Sequence, residues 1–348
     1  MREIRMALTG FGNVGQGVAR LLADHGAEYE QDYGLRLSLT GVADRGGAVA
    51  TGTALNPESL LQSKTESGTV AAAQGGQRGL DGQRFLEAAA ANVLLEAAST
   101  NFEDAEPGWS YAQSALRLGM DVVLASKGAL VLHFDELFDL ARKQGREVLY
   151  AGTTGAPLPV REVADGVLPG ATIDGFEGIV NVTSNVILEA IAGGATYDEG
   201  AAEAQRAGLA ETDPTLDVDG WDAAAKALIV ARTVFDTPIT LGDVRREGIR
   251  GVDPGSVRRA RLEGTVIKLI AHVERQEGGV RAWVGPEVRP LTDPLGRLRG
   301  SEVGMIYRTR PLGAVTATVE DSGPIPTALS VLRDVFNLAR QRGWMSQR

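Results

Sequence analysis

Asp222 and Lys226 stand four residues apart in a run from Trp221 to about Phe235 that is otherwise apolar on nearly every side (Ala223, Ala224, Ala225, Ala227, Leu228, Ile229, Val230, Ala231). That spacing stacks the two side chains on one face of a helix. A helix apolar all round is normally a buried one. On a polar helix the same two residues would form a surface ion pair worth a fraction of a kcal/mol. Inside an apolar helix they suit proton transfer, because burial lowers a lysine's pKa until it gives and takes a proton, whereas arginine stays charged. Lysine is also scarce. Of 35 basic residues only Lys64, Lys127, Lys143, Lys226 and Lys268 are lysines. Directly upstream lies an acidic loop with Glu211, Asp213, Asp217 and Asp219, interrupted by Pro214 and Gly220.

The elements that must carry this pair follow from the rest of the chain. A length of 348 residues points to two domains, and 43% hydrophobic with 23% charged residues is a globular composition with a sizeable core. A net charge of −10 argues against nucleic acid or an anionic membrane as partner. No apolar run approaches a membrane span, and the start goes straight into a strand and a glycine loop with no signal-peptide core, which reads as cytoplasmic. The absence of cysteine excludes disulfides, thiolate metal sites and a thiol nucleophile. His25, His133 and His272 are scattered without metal-ligand spacing, so no metal is expected and each is read as structural.

Residues 3–9 form an apolar strand, followed by Gly10-Phe11-Gly12-Asn13-Val14-Gly15 and a helix from Gln16 to about Ala23. This is GxGxxG between a strand and a helix, the setting that gives the motif its meaning. The first glycine permits the turn, the second lets a pyrophosphate approach the backbone, and the third lets helix and strand pack closely. The helix N-terminus then meets the phosphates with its positive end. Gly10, Gly12, Asn13, Val14 and Gly15 are thus candidate dinucleotide ligands. A second strand, Leu35 to Ala43, ends at Asp44-Arg45. An acid there suits the ribose hydroxyls of NAD and an arginine suits the 2′-phosphate of NADP, so side by side they leave the choice open. Asp44 lies further from Gly10 than the usual ~20 residues, which a loop insertion at Gly26–Gly34 would explain.

Beyond Gly46 the chain is weakly patterned as far as Asp81, with a short helix around Pro57–Lys64 and a surface excursion near Gly75–Gly82. Strands at Asn92–Ala97, Asp121–Ala125 and Glu147–Tyr150 then alternate with helices at Ser110–Leu118 and Phe134–Lys143. Such alternation predicts an α/β domain of the Rossmann type, a doubly wound parallel sheet whose ligands bind at the carboxyl ends of the strands. Ser99 and Thr100 sit at one such end, Ser126 and Lys127 at another. The turn-rich stretch Gly152–Pro159 sets the boundary: residues 1–151 as dinucleotide-binding domain, 152–320 as a second α+β domain, and 321–348 as a C-terminal helix returning to the first. In the second domain a strand over Phe176–Thr183 ends in Thr183-Ser184-Asn185. Helices follow over Val186–Ala192 and Tyr197–Ala207. The β-like runs Thr265–Val273, Val280–Val284 and Val315–Glu320 predict a mixed sheet with a helix layer. Ser322-Gly323-Pro324 leads into a last helix, Pro326 to Arg340; Gly323 joins the candidate cofactor ligands together with Ser99, Thr100 and Ser126.

The stretches GFGNVGQGV, ASKGAL (125–130), IVNVTSNVILEAI (179–191), AGLAETDPTLDVDGWDAAAK (207–226) and PTALSVLRD (326–334) together resemble the homoserine dehydrogenase family over nearly the whole chain. The resemblance implies reversible NAD- or NADP-dependent interconversion of L-homoserine and L-aspartate 4-semialdehyde, in a short form without regulatory domain. It also implies a homodimer formed through the second domain's sheet. In the family's pattern Lys226, Lys127 and Asp222 are catalytic. Glu211 holds the substrate ammonium, Asp217 organises the loop and the lysines, and Thr183 belongs to the substrate site. Chemistry agrees, since reducing an aldehyde needs a cationic acid near the forming alkoxide and an amino-acid substrate needs a carboxylate for its ammonium. A phosphorylating semialdehyde dehydrogenase would need a thiolate, and this chain has none. The chain departs from the family at Ser126 (often asparagine), Val182 (glycine), Leu209 (aromatic) and Ala151 (a glutamate linked to a monovalent cation in some members). These changes keep two alternatives open: a relative acting on a different small amino or hydroxy acid, and a non-catalytic dinucleotide-binding regulator.

Overall fold

The computed structural model describes residues 2–155, 157–210 and 213–345. It divides into two compact units, one made of the chain up to Thr153 together with the chain from Pro324 onward, the other of Thr154–Gly323.

The first unit runs β1 (Arg2–Thr9), α1 (Asn13–Tyr33), β2 (Leu35–Asp44), β3 (Gly47–Ala50), α2 (Pro57–Ser67), β4 (Gly76–Gln77), α3 (Gly82–Ala89), β5 (Val93–Glu96), α4 (Gly108–Arg117), β6 (Asp121–Leu124), α5 (Gly128–Leu132), α6 (Phe134–Gln144) and β7 (Val148–Leu149). Strand order is β4-β3-β2-β1-β5-β6-β7. β2, β1, β5, β6 and β7 pair in parallel. The direction of winding reverses between β1 and β5, so the crevice for a ligand opens beyond their carboxyl ends. Ile4, Met6, Leu8, Leu39, Val42, Val93 and Leu95 are buried in the sheet, as parallel strands covered on both faces must be.

Two expectations are corrected here. β3 and β4 pair antiparallel at the edge of the sheet, so the weakly patterned stretch after Gly46 supplies strands and the sheet is not wholly parallel. The Gly26–Gly34 stretch is not a loop: α1 continues to Tyr33 and stops where Gly34 takes a left-handed φ of 68°. Ala27, Glu28, Glu30 and Gln31 are good helix formers, and a single internal glycine costs only about 1 kcal/mol. Tyr29 and Tyr33 offset that by packing on Phe336, with ring centroids 5.2 and 4.8 Å apart. Phe336 belongs to α13 (Pro324–Gln341), which lies against α1. Val331, Leu332, Val335 and Leu338 of α13 join the same core as Val18 and Leu22 of α1, and the buried Asp334 accepts the Ala151 N–H at 2.7 Å.

The second unit runs α7 (Val160–Gly166), β8 (Thr172–Ile179), α8 (Val182–Ala192), α9 (Tyr197–Arg206), α10 (Thr215–Val218), α11 (Trp221–Thr233), β9 (Arg245–Arg246), α12 (Pro254–Leu262), β10 (Thr265–Gln276), β11 (Gly279–Pro290), β12 (Glu302–Arg310) and β13 (Gly313–Glu320). Its sheet, ordered β13-β12-β8-β10-β11-β9, is antiparallel except where β9 joins β11. Helices α8, α11 and α12 lie against β10. β12 carries no strand signal in the sequence because its run Val303–Tyr307 is buried on both faces and shows no alternation. Thr183 is not at a strand end. β8 stops at Ile179, and Asn181 caps α8 by accepting the Ser184 N–H at 2.9 Å, which starts the helix at Val182.

Candidate active site

In the first unit the strand ends enclose a cleft of about 690 Å³, lined among others by Gly10, Gly12, Asp44, Arg45, Lys64, Ser99, Thr100 and Tyr111. Gly10 has φ +84°, and a Cβ there would lie 2.2 Å from the Ala97 carbonyl oxygen. A Cβ on Gly15 would lie 2.2 Å from the Gly10 oxygen, so helix and turn meet at a distance only glycine allows. Gly12 faces open space. It begins α1 without a side-chain cap, and the exposed Asn13 and half-buried Val14 follow it. The orphan N–H groups of this three-glycine turn suit a pyrophosphate. The residues present therefore fit a dinucleotide.

Asp44, at the lip of the cleft, is heavily engaged. Its Oδ1 accepts from Gly46 N (2.8 Å) and Thr69 Oγ1 (2.7 Å), and its Oδ2 from Lys64 Nζ (2.7 Å) and Val70 N (3.0 Å). Burial would push this carboxyl up, but Lys64, Thr69 and the two backbone N–H groups outweigh it and hold it below the usual carboxylate range. Arg45 is exposed, with Nη2 3.4 Å from Ser99 Oγ. After β6, the Lys127 N–H donates to Thr100 Oγ1 at 3.2 Å, and Ser126 is buried.

In the second unit α11 is as apolar as its sequence suggests, with Ala223 through Ala225 and Ala227 through Ala231 buried. Lys226 Nζ lies 2.8 Å from Asp222 Oδ2, and the two side chains are only 13% and 15% exposed, so this is not a surface ion pair. Lys226 also donates to the Val180 carbonyl at 2.5 Å. Asn181 Nδ2 donates to both Asp217 Oδ1 (2.6 Å) and Asp222 Oδ2 (3.0 Å). One amide thus bridges two carboxylates that would otherwise repel. Asp321, just past β13, belongs to the same electrostatic cluster. Burial raises its carboxyl, Lys226 pulls it down, and Asp222 pushes it up again.

The remaining acids of the loop serve local structure: Asp213 accepts from Thr215 Oγ1 at 2.6 Å, and Asp219 pairs with Arg250 at 2.8 Å. Thr183 Oγ1 donates to the Leu209 carbonyl at 2.7 Å. Glu211 lies outside the described residues. Gly323 takes φ +126° and donates its N–H to Asp321. Among the described residues no group of three or more His, Cys, Asp or Glu is arranged to hold a metal ion, and no helix is long and apolar enough to cross a membrane. Sequence reasoning missed Asn181 and Asp321. An asparagine ahead of an apolar run is a helix-start signal that would have drawn attention to the first; a lone acid after a strand carries no such signal.

Comparison with known proteins covers both units. A model of the homoserine dehydrogenase NAD-binding domain matches residues 10–151, and a model of homoserine dehydrogenase matches residues 159–336. An NAD(+)-dependent homoserine dehydrogenase from Pseudomonas canavaninivorans is 33% identical over 340 residues, covering 97% of each chain. The crystal structure of homoserine dehydrogenase from Thermoplasma acidophilum superimposes with a TM-score of 0.86 at 26% identity, over 97% of this chain and 100% of that one. A hyperthermophilic archaeal homoserine dehydrogenase in complex with NADPH superimposes with a TM-score of 0.82 at 25% identity, over 98% of both. With its glycine turn in one unit and its lysine–carboxylate cluster in the other, the chain belongs to the homoserine dehydrogenase family of NAD(P)-dependent oxidoreductases.

Proposed function

We propose that this chain interconverts L-homoserine and L-aspartate 4-semialdehyde. The observation that carries the reading is the Asp222–Lys226 pair, withdrawn from solvent and joined through Asn181 to Asp217. A dinucleotide held at the Gly10–Gly15 turn would supply or accept the hydride. In the reducing direction the aldehyde oxygen takes a proton from Lys226 or Lys127 as its carbon gains hydride; in the oxidising direction the hydroxyl proton returns to that amine. Asp222 orients the Lys226 ammonium, and Asn181 keeps Asp217 beside it. Glu211 takes the substrate ammonium, and Thr183 holds the chain leading to it through Leu209. The test is a substrate panel followed by NAD(P)H absorbance. Turnover of homoserine above other small amino and hydroxy acids supports the reading, and cofactor binding without turnover of homoserine defeats it.

Within the shared dinucleotide chemistry we infer a preference for NADP. Both Asp44 oxygens already accept two donors each, so its carboxylate is poorly placed to take ribose hydroxyls. Arg45 and Lys64 line the same cleft and suit a 2′-phosphate. Arg45→Ala should lower the NADP-over-NAD ratio of kcat/KM roughly tenfold, the worth of one charge-assisted hydrogen bond; an unchanged ratio removes Arg45 from that role. The family resemblance also supports a cytoplasmic homodimer formed through the second unit's sheet, which sedimentation at micromolar concentration checks.

A further inference from the structure

Glu96 closes β5 and is 1% exposed, at the base of the turn that lines the cofactor cleft. Its Oε1 accepts the Ala98 N–H at 2.8 Å, and its Oε2 accepts the Ser126 hydroxyl. The Ser126 N–H points to the same carboxyl. The Ala125 N–H reaches the Glu96 carbonyl at 2.7 Å. One side chain thus ties the turn after β5 to the turn after β6, and Lys127 is the next residue of the second turn. The first residue of α4 is Gly108, where a Cβ would come within 3.1 Å of both Glu96 Oε2 and Ser126 Oγ, so the helix start closes over the pair.

The contrast with Asp44 in the same sheet is one of partners. Asp44 has the Lys64 ammonium, whereas the donors on Glu96 are one hydroxyl and backbone N–H groups. Tyr111, on α4, is a titratable group that feels its charge. Burial outweighs the three hydrogen bonds and pushes the Glu96 carboxyl up to about 7. An ionised carboxylate accepts all three donors. A protonated one carries an O–H in place of an acceptor site, so Ser126 must turn its hydroxyl round or a donor loses its partner.

We propose that Glu96 is a positioning residue for the reaction, acting through Ser126 to set the turn that presents Lys127, and doing so in its ionised form. The inference rests on Lys127 serving the reacting centre, so its test needs a readout that does not depend on turnover. The five lysines allow one. With the full chain ¹³C-methylated on lysine, the NMR signal of Lys127, assigned by its loss in Lys127→Arg, should shift with an inflection near pH 7. That inflection should vanish in Glu96→Gln and shrink at least twofold in Ser126→Ala, which leaves the carboxyl in place. In turnover, kcat should fall on the acid side through the same pH, and Glu96→Gln should lose about tenfold or more of kcat at pH 8, with a flat acid limb. An inflection that persists in Glu96→Gln, or that keeps its full size in Ser126→Ala, overturns the proposal; if Glu96→Gln fails to fold, the Ser126→Ala result decides alone. A folded wild-type chain that does not turn over homoserine overturns the reaction assignment instead, and the lysine signal still decides the role of Glu96.

Discussion

Two lysines of the second unit, Lys226 and Lys268, are both carried inward from apolar elements, and their surroundings differ in kind. Lys268 is 2% exposed, and its Nζ donates to Asn185 Oδ1 at 2.6 Å and to the Leu298 carbonyl at 2.8 Å. Burial lowers it to about 8, with Glu189 and Glu302 acting only at a distance to raise it. Asn185 in turn donates to the Gly300 and Glu302 carbonyls, so the lysine clamps the segment before β12 onto α8. Lys226 keeps some access to solvent and stands among Asp222, Asp321 and, through Asn181, Asp217. Burial alone therefore does not mark a reacting lysine. What separates the proposed reacting lysine from the other is its partners: carboxylates around Lys226, neutral acceptors around Lys268.

The sharpest way to break this contrast is to remove each ammonium in turn. Lys226→Met should lower kcat by roughly 10²–10⁴ in both directions while NAD(P)H affinity, read by fluorescence, stays close to wild type. Lys268→Met should retain turnover as long as it folds. Equal losses of kcat in the two folded variants would dissolve the distinction.

A second measurement sharpens the Lys268 half. Its folded pKa lies below the unfolded one, so between about pH 8 and 10.5 the unfolded chain keeps a proton that the folded chain has lost. Stability must then rise with pH across that window relative to Lys268→Met, by about 3 kcal/mol at the upper end, while below pH 8 the difference between the two proteins is constant. Urea unfolding from pH 7 to 10.5 checks the slope, and a gap that does not move with pH would mean that the ammonium is not desolvated. The smallest effects come from the asparagines of α8. Asn185→Ala, which strands buried carbonyls, should cost about 1–3 kcal/mol of stability without changing kcat. Asn181→Ala should cost about 1 kcal/mol through its lost cap and also reduce kcat, because Asp217 and Asp222 lose their common donor.

Scarcity of lysine was a partial guide. The apolar helix around Asp222 and Lys226 is what signals a pair withdrawn from solvent; scarcity also covers Lys64, which holds Asp44, and Lys268, which holds a loop segment. The sequence shortens α1 because Gly26 looks like a breaker in isolation, and only the packing of Tyr29 and Tyr33 on Phe336, over 300 residues away in the chain, shows why the helix runs on. The apolar run from Phe176 gives no sign of where β8 stops, so Thr183 looks like a strand end; the cap made by Asn181 sets the change to helix.

What the sequence determined alone is the local part of the site. Gly15 must be glycine because the Gly10 carbonyl oxygen of the same turn occupies the space of a Cβ, and i, i+4 spacing on an apolar helix puts Asp222 beside Lys226. Tertiary structure decided the charge states. Asp44 and Glu96 both end strands of one sheet, but one meets an ammonium and the other a hydroxyl and backbone N–H groups, so their carboxyls move in opposite directions. A pKa depends on burial and on partners brought from distant parts of the chain, and neither is written in the residue's own neighbourhood.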